Sequence, residues 1–539
     1  MVRRIGEVNA RPPSLAPTTC KVALVFPDVY PLAINSYSFQ WLYHALGSRP
    51  GVTCHRFVYP LTKAGLAQVP KSLEAGAPLE YYDVVAFSLQ FEEQYFRVPW
   101  FLRRASVPVT AEERSGVGHG GGARGGGERW PIVLAGGPAV SANPLPTFDL
   151  VDATCLGDLE PSLPQLLDWL AELPEVRRGR ALEALADLPG WITHDLDPSK
   201  AKRGEVRRAA LDDLDASPHP TAQVVPAEVP AGMEKAFPFG RTFLLEVNRG
   251  CPHACRFCVT GYHKRPFRNR SLNALRAIVE EGLRSTPVDR VTLVGSAVNE
   301  HPKFVELVEH LATVAGRVTV PSLQAASLTE GALQALAATG LKTLTVAPEA
   351  CAELRGSLGK VLKDESLLGV AESAASKGFR NVKAYFLLGV PGERPEHVDA
   401  IGELVGELTR HFPRPKSTRV SVNPFVPKAN TPLETFVDHY ATKEGFSELK
   451  GRFKRLGKVL GSLGPVVKYS PPALTKFRVQ AHLSLGGREH HRLLVELCET
   501  PRPPTWATFM GAARRVGLDL ESQLVASLTS SRRPWSFVG

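Results

Sequence analysis

Three of the chain's eight cysteines fall close together, in Asn248-Arg-Gly-Cys-Pro-His-Ala-Cys-Arg-Phe-Cys258. Cys251, Cys255 and Cys258 follow a C-x3-C-x2-C spacing. Thiolates at such spacing ask for a metal, and they are the usual ligands of iron–sulfur clusters. In a [4Fe–4S] cube, three thiolates leave one iron without a protein ligand, and a small molecule can chelate that corner. The same thiols would also suit a structural zinc, with His253 or His263 as the fourth donor. The other cysteines, Cys20, Cys54, Cys155, Cys351 and Cys498, are scattered. That pattern fits a reducing compartment and a metal site better than a disulfide framework.

The cysteine segment directly follows an apolar run at 242–247. Further strand-like runs lie at 290–294, 317–323, 343–347, 381–388 and 418–422, with helical patterns between them. Six βα units in succession predict a partial parallel (β/α)6 barrel over 237–435, with its chemistry at the C-terminal ends of the strands. Short turns follow these strands. Gly295 and Ser296 end the second, Glu349 ends the fourth with Cys351 and Arg355 close behind, and Gly389 and Gly392 end the fifth.

An earlier series of strand-like runs, at 22–26, 53–58, 84–88, 132–135 and 153–156, also alternates with helical patterns. It predicts a Rossmann-like doubly wound sheet over 19–197. Gly136 and Gly137, after one of its strands, would let a nucleotide tail approach the backbone. Residues 1–18 read as a loose tail, 198–236 as a linker and 436–539 as a mostly helical region. In that last region Arg488, His490, His491 and Arg492 read as a solvated face. The glycine-rich stretch 115–127 reads as a mobile surface loop.

The 539 residues carry a net charge of +10, but the basic residues come in short scattered pairs rather than one block, so nucleic acid is not an expected partner. No run of about 18 apolar residues predicts a membrane span, and no secretory signal follows Met1. The expected location is the cytoplasm.

The motif C-x3-C-x-aromatic-C, with Phe257 before the third cysteine and a barrel strand before the motif, resembles the radical S-adenosylmethionine (radical SAM) enzymes. The resemblance implies that the open iron binds the amino and carboxylate groups of S-adenosylmethionine. One electron from the cluster then yields methionine and a 5′-deoxyadenosyl radical, which abstracts hydrogen from the substrate. It further implies SAM contacts from the turns at Gly295, Ser296, Glu349, Arg355, Gly389 and Gly392, and an electron donor such as flavodoxin or ferredoxin. Cys351, at a strand end, is a candidate hydrogen-atom donor to a substrate radical.

Together with Ala23-Leu-Val-Phe-Pro-Asp28, Leu134-Ala-Gly-Gly-Pro138 and Val422-Asn-Pro-Phe-Val-Pro-Lys428, the pattern is similar to the group whose N-terminal domain is cobalamin-binding-like. Such domains often carry D-x-H-x-x-G, whose histidine ligates cobalt. Here Tyr30 stands at the histidine position and Ala33 at the glycine position. Cobalamin therefore binds without that ligand or does not bind. The substrate is expected to be a small molecule or peptide. Two other readings are an RNA-modifying enzyme like the methylthiotransferases, with a second cluster drawing on Cys20, Cys54 and Cys155, and a non-enzymatic metal-binding regulator.

Overall fold

A strand buried on both faces needs apolar side chains at nearly every position, because helices cover a parallel sheet from both sides. Strand β1, Cys20–Val29, has that character, with Cys20 and the run from Val22 to Pro27 all buried. The computed structural model describes residues 5–11, 19–115, 130–500, 504–529 and 533–539. Around β1 stand β2 (Val52–Tyr59), β3 (Val84–Ser88), β4 (Ile132–Gly136), β5 (Ala153–Cys155) and β6 (Trp191–Thr193), in the order β2-β1-β3-β4-β5-β6. Every pairing is parallel except β5 with β6. The chain leaves β1 toward one side and returns to β3 on the other. The C-terminal ends of β1 and β3 therefore flank a topological switch point, where open α/β sheets bind ligands.

The second series gives β7 (Phe243–Glu246), β8 (Arg290–Val294), β9 (Arg317–Thr319), β10 (Thr343–Glu349), β11 (Asn381–Leu388), β12 (Thr418–Pro424) and β13 (Val467–Tyr469). All are parallel, in the orders β9-β8-β7 and β10-β11-β12-β13. Just past β9, Leu323 forms a parallel bridge to Val346 of β10. The fold class is thus the one predicted: a Rossmann-like sheet, a partial parallel barrel and a helical C-terminal region. Strand β13 is an addition, lying in the region expected to be mostly helical.

The division of the chain differs from the sequence reading. One unit gathers the residues up to 212, 216–241 and 482–539; the other gathers 213–215 and 242–481. Residues 198–236 are not a free linker. Val225–Pro226 pairs antiparallel with Glu7–Val8, so part of the expected loose tail is also held. Leu214, Val224 and Val225 are buried, which gives this segment a reason to pack. Of the glycine-rich stretch 115–127, all but Ser115 lies outside the described residues.

The C-terminal region is split between the units, because a helical pattern reveals an apolar face but not the core it meets. Residues up to 481 group with the barrel and those from 482 on with the N-terminal unit, so the division falls within the helix Leu474–Ser484. Arg488 and His491 are not a solvated face. Both grip Asp149, at 2.6 Å from Arg488 Nη2 and 2.9 Å from His491 Nδ1. Burial disfavours charge on Asp149, but the bonds from His491 and Arg488 outweigh it and bring its carboxyl down to about 2. For His491, burial opposes protonation, yet the bonds to Asp149 and to the Arg488 carbonyl raise its pKa.

A raised folded-state pKa stabilises the fold below the unfolded value, and the contribution fades as pH rises through the folded value. We therefore expect His491→Gln to destabilise the protein most below about pH 6.5, the ordinary imidazole value. The gap to wild type should narrow steadily at higher pH, as read by chemical denaturation across that range.

Candidate functional site

The cysteine segment leaves the end of β7 as a closed loop. Its base is a two-residue antiparallel pair, Asn248–Arg249 with Arg268–Asn269. Glu246 secures that base: its Oε1 accepts from Arg249 Nε at 3.1 Å, and its Oε2 from Arg270 Nη2 at 3.2 Å. Gly250 has φ 80°, and a Cβ there would stand 2.2 Å from the Lys264 carbonyl oxygen. Only glycine lets the two sides of the loop come this close.

The rim of the loop is held from the opposite side of the barrel mouth. Arg256 N–H donates to the Leu358 carbonyl at 2.8 Å, and Leu433 N–H donates to the Arg256 carbonyl at 3.3 Å. Gly359, at φ 67°, lies against Ala254, whose carbonyl oxygen would be 2.7 Å from a Cβ there. Cys255 is buried, while Cys251, Phe257 and Cys258 are partly exposed. Burial pushes the Cys251 thiol up, and it pushes that of Cys255 up to about 11, with Lys360 opposing the shift in both.

The donor set fits a cube better than a single ion. One zinc needs four donors at about 2.0–2.3 Å from a common point. Among the described residues no group of three or more His, Cys, Asp or Glu side chains converges in that way. The histidines weighed for zinc are also engaged elsewhere: His253 Nε2 donates to Glu300 Oε1 at 2.9 Å, and His263 Nε2 meets the Asn430 carbonyl at 3.3 Å. A cube instead gives each thiolate its own iron.

The predicted turns stand at the ends of their strands. Gly295 lies under Asn248, whose Oδ1 would be 2.3 Å from a Cβ there. Asn248 donates from Nδ2 to the Ala297 carbonyl at 2.7 Å, and its buried Oδ1 has no hydrogen-bond partner among the described residues. Ser296 beside it is exposed. Glu349 follows a register shift at the end of β10 and has φ 69°, a left-handed conformation that a non-glycine residue seldom adopts. Burial raises its carboxyl pKa to about 7, against the pull of Lys360.

Arg355 is fully buried. Its Nε bonds the Pro348 carbonyl at 3.1 Å, and its Nη1 bonds the Leu362 carbonyl at 3.2 Å and Asp364 Oδ1 at 2.5 Å. These contacts brace the segment from 348 to 364. Cys351 is buried directly before the short helix Ala352–Arg355, and burial raises its thiol pKa. Gly389 and Gly392 have φ 80° and 76°. Their turn is closed by Glu393, whose Oε1 accepts from Gly389 N–H and from Arg452 Nη1, both at 3.0 Å.

One set of residues escaped the sequence reading because its members come from separate turns. Ser327 Oγ donates to Glu300 Oε1 at 2.7 Å, and Asn299 Nδ2 donates to Ser327 Oγ at 2.9 Å. Asn299 also pairs with the Gln324 backbone, and Lys360 Nζ donates to Gln324 Oε1 at 3.1 Å. A continuous polar chain thus runs from His253, inside the cysteine loop, to Lys360. The only sequence signal was the polar Asn299-Glu300-His301 after a strand.

In the N-terminal unit, Tyr30 does not stand free as a ligand. It is buried, and its hydroxyl donates to Glu7 Oε1 at 2.8 Å, beside the Arg56 guanidinium that pairs with the same carboxylate. Gly137, at φ 117°, serves internal packing, since a Cβ would lie 2.3 Å from the Leu89 carbonyl oxygen. Gly136 meets only ordinary contact with Cys155. The switch point presents Asp28 paired with Arg97 at 2.8 Å, together with Gln90, Gln94 and an exposed Phe91. Cys20, Cys54 and Cys155 all belong to the apolar core of this unit, and burial raises the first two thiols, Cys20 to about 12. Cys20 and Cys155 stand near opposite edges of the sheet, so the three do not form a second cluster loop.

Gly250→Ala combines a left-handed φ with a backbone clash, a strain of about 1–3 kcal/mol or more at this one loop. We expect the variant to keep its far-ultraviolet circular dichroism while losing most of the iron that the wild-type chain takes up anaerobically.

Residues 245–405 match the Radical SAM superfamily, and residues 38–192 match the family described as Radical SAM proteins, N-terminal. An uncharacterized protein of Methanocaldococcus jannaschii is 26% identical over 380 residues, which span 70% of this chain and 74% of that one. The radical S-adenosylmethionine methyltransferase TsrM from Kitasatospora setae, solved with cobalamin and a [4Fe-4S] cluster bound, aligns with a TM-score of 0.55 at 15% identity, covering 95% of this chain and all of that one. The cobalamin-dependent S-adenosylmethionine radical enzyme OxsB aligns with a TM-score of 0.51 at 14% identity, over 84% of this chain and 58% of that one. The two matches together span more than half of the chain, and the chain belongs to the radical SAM superfamily.

Proposed function

We propose that Cys251, Cys255 and Cys258 hold a [4Fe–4S] cluster and that the enzyme cleaves S-adenosylmethionine to act on a small-molecule or peptide substrate. The observation that carries this reading is the three-thiol loop, closed at its base by Gly250 and held at its rim through Leu358. When bound, the cluster supplies the electron that splits S-adenosylmethionine into methionine and a 5′-deoxyadenosyl radical.

The chain's own groups bind and orient. Asn248 Oδ1, buried beside Gly295 and without a donor among the described residues, is an acceptor for an amino group. Ser296 is exposed beside it. Glu349, with its carboxyl near 7, can hold or release a proton at the barrel mouth. Gly389 packs against Leu449 and His439, while Gly392 leaves room for a flat ligand close to the backbone of the same turn. Cys351 is the candidate hydrogen donor, and a flavodoxin- or ferredoxin-like protein the candidate electron source.

Cobalamin is the second ligand of this proposal, bound by the N-terminal unit without a protein ligand to cobalt. The likeness to cobalamin-bound folds and the switch point between β1 and β3 support it, and the engagement of Tyr30 by Glu7 supports the missing ligand. A cytoplasmic location, where thiols are kept reduced, is part of the same proposal. No helix among the described residues is long and apolar enough to cross a membrane.

After anaerobic reconstitution the wild-type chain should carry about four irons and form 5′-deoxyadenosine from S-adenosylmethionine and dithionite. Alanine at any one of the three thiols should reduce both to background; persistence of product in these variants contradicts the proposal. Incubation with hydroxocobalamin and desalting should leave one corrin per chain. The reduced cobalt should show no nitrogen hyperfine splitting from a protein imidazole, and a corrin-free protein removes the cobalamin part alone.

A further inference from the structure

We infer that Lys360 is a positioning residue for the cluster: its ammonium is fixed beside the cysteine loop so that its charge raises the cluster's reduction potential. The inference deepens the proposed function and rests on the three-thiol cluster site.

Lys360 is only 9% exposed, an unusual place for an ammonium. Its position is imposed by backbone. Its N–H donates to the Arg355 carbonyl at 2.9 Å, and two residues before it the Leu358 carbonyl accepts from Arg256, between Cys255 and Cys258. Gly359, next to Lys360, is pressed against Ala254 within the cysteine loop. Arg355 holds the Leu362 carbonyl on the far side. The side chain is then aimed by one bond, from Nζ to Gln324 Oε1, and Gln324 is itself locked by Asn299.

The groups around it are anions or become so. Its charge reaches the Cys251 and Cys255 side chains of the loop and the Glu349 carboxyl. Among the described residues Lys360 forms no salt bridge; its Nζ bonds neutral Gln324, and the nearby Glu349 carboxyl is pushed by burial toward its neutral form. At low dielectric such a charge acts strongly over a few ångströms. Reduction adds one negative charge to the cluster. A nearby fixed cation stabilises the reduced form more than the oxidised one, so it moves the potential upward.

The test is an anaerobic redox titration of the reconstituted full-length enzyme, followed by electron paramagnetic resonance without S-adenosylmethionine. Lys360→Gln keeps a donor for Gln324 but removes the charge; Lys360→Met is a second neutral variant, and Lys360→Arg restores the charge. The expected result is a midpoint shifted to lower potential in the neutral variants and returned toward wild type in Lys360→Arg. Neutral variants with intact clusters and the wild-type midpoint would overturn the inference. If they also bound S-adenosylmethionine more weakly by equilibrium dialysis, Lys360 would be a carboxylate-binding residue instead. A wild-type protein that assembles no cluster defeats the underlying site assignment, and its iron content tells that failure apart.

Discussion

Backbone contacts, more than side-chain contacts, set where the three thiols stand. The cysteine loop is an excursion between β7 and the following helix, closed where Asn248–Arg249 pairs with Arg268–Asn269 and where Gly250 passes the Lys264 carbonyl. On its rim, the peptide of Arg256 bonds the chain at Leu358 and at Leu433. A metal cluster demands thiolates on a fixed spacing, and side chains alone would leave that spacing to rotamer freedom. Holding the peptides instead leaves each cysteine only its own torsions to settle.

The same principle governs the surroundings. Arg355 ties three points of the segment from 348 to 364, Glu393 closes its own turn, and Asn299 locks the backbone of Gln324. Several buried charges at the mouth therefore serve as fasteners. Glu349 and Lys360 differ, because neither closes a turn and both are held away from bulk water. A carboxyl raised to about 7 and an ammonium beside thiols are costly to bury, and functional sites are where such costs persist.

Much of this was legible in the sequence. The cysteine spacing and the apolar run before it located the loop, and alternating strand and helix patterns gave both sheets, since buried parallel strands must read as apolar runs. What stayed hidden was contact across distance. Nothing in the chain near Cys255 announces Lys360, more than a hundred residues later, and nothing near Arg488 announces Asp149. Tyr30 reads as a ligand position by its neighbours, yet its hydroxyl is spoken for by Glu7, a residue in the supposed loose tail. The helices after 436 read alike, although they divide between two cores.

The central claim is that the three-thiol loop presents a cluster with one iron open to S-adenosylmethionine. Its most direct test is the electron paramagnetic resonance spectrum of the dithionite-reduced protein before and after S-adenosylmethionine is added. A cube with an open corner should give a reduced-cluster signal whose g-values change on addition. A signal that is identical in both states, or that is absent despite bound iron and sulfide, would contradict the account.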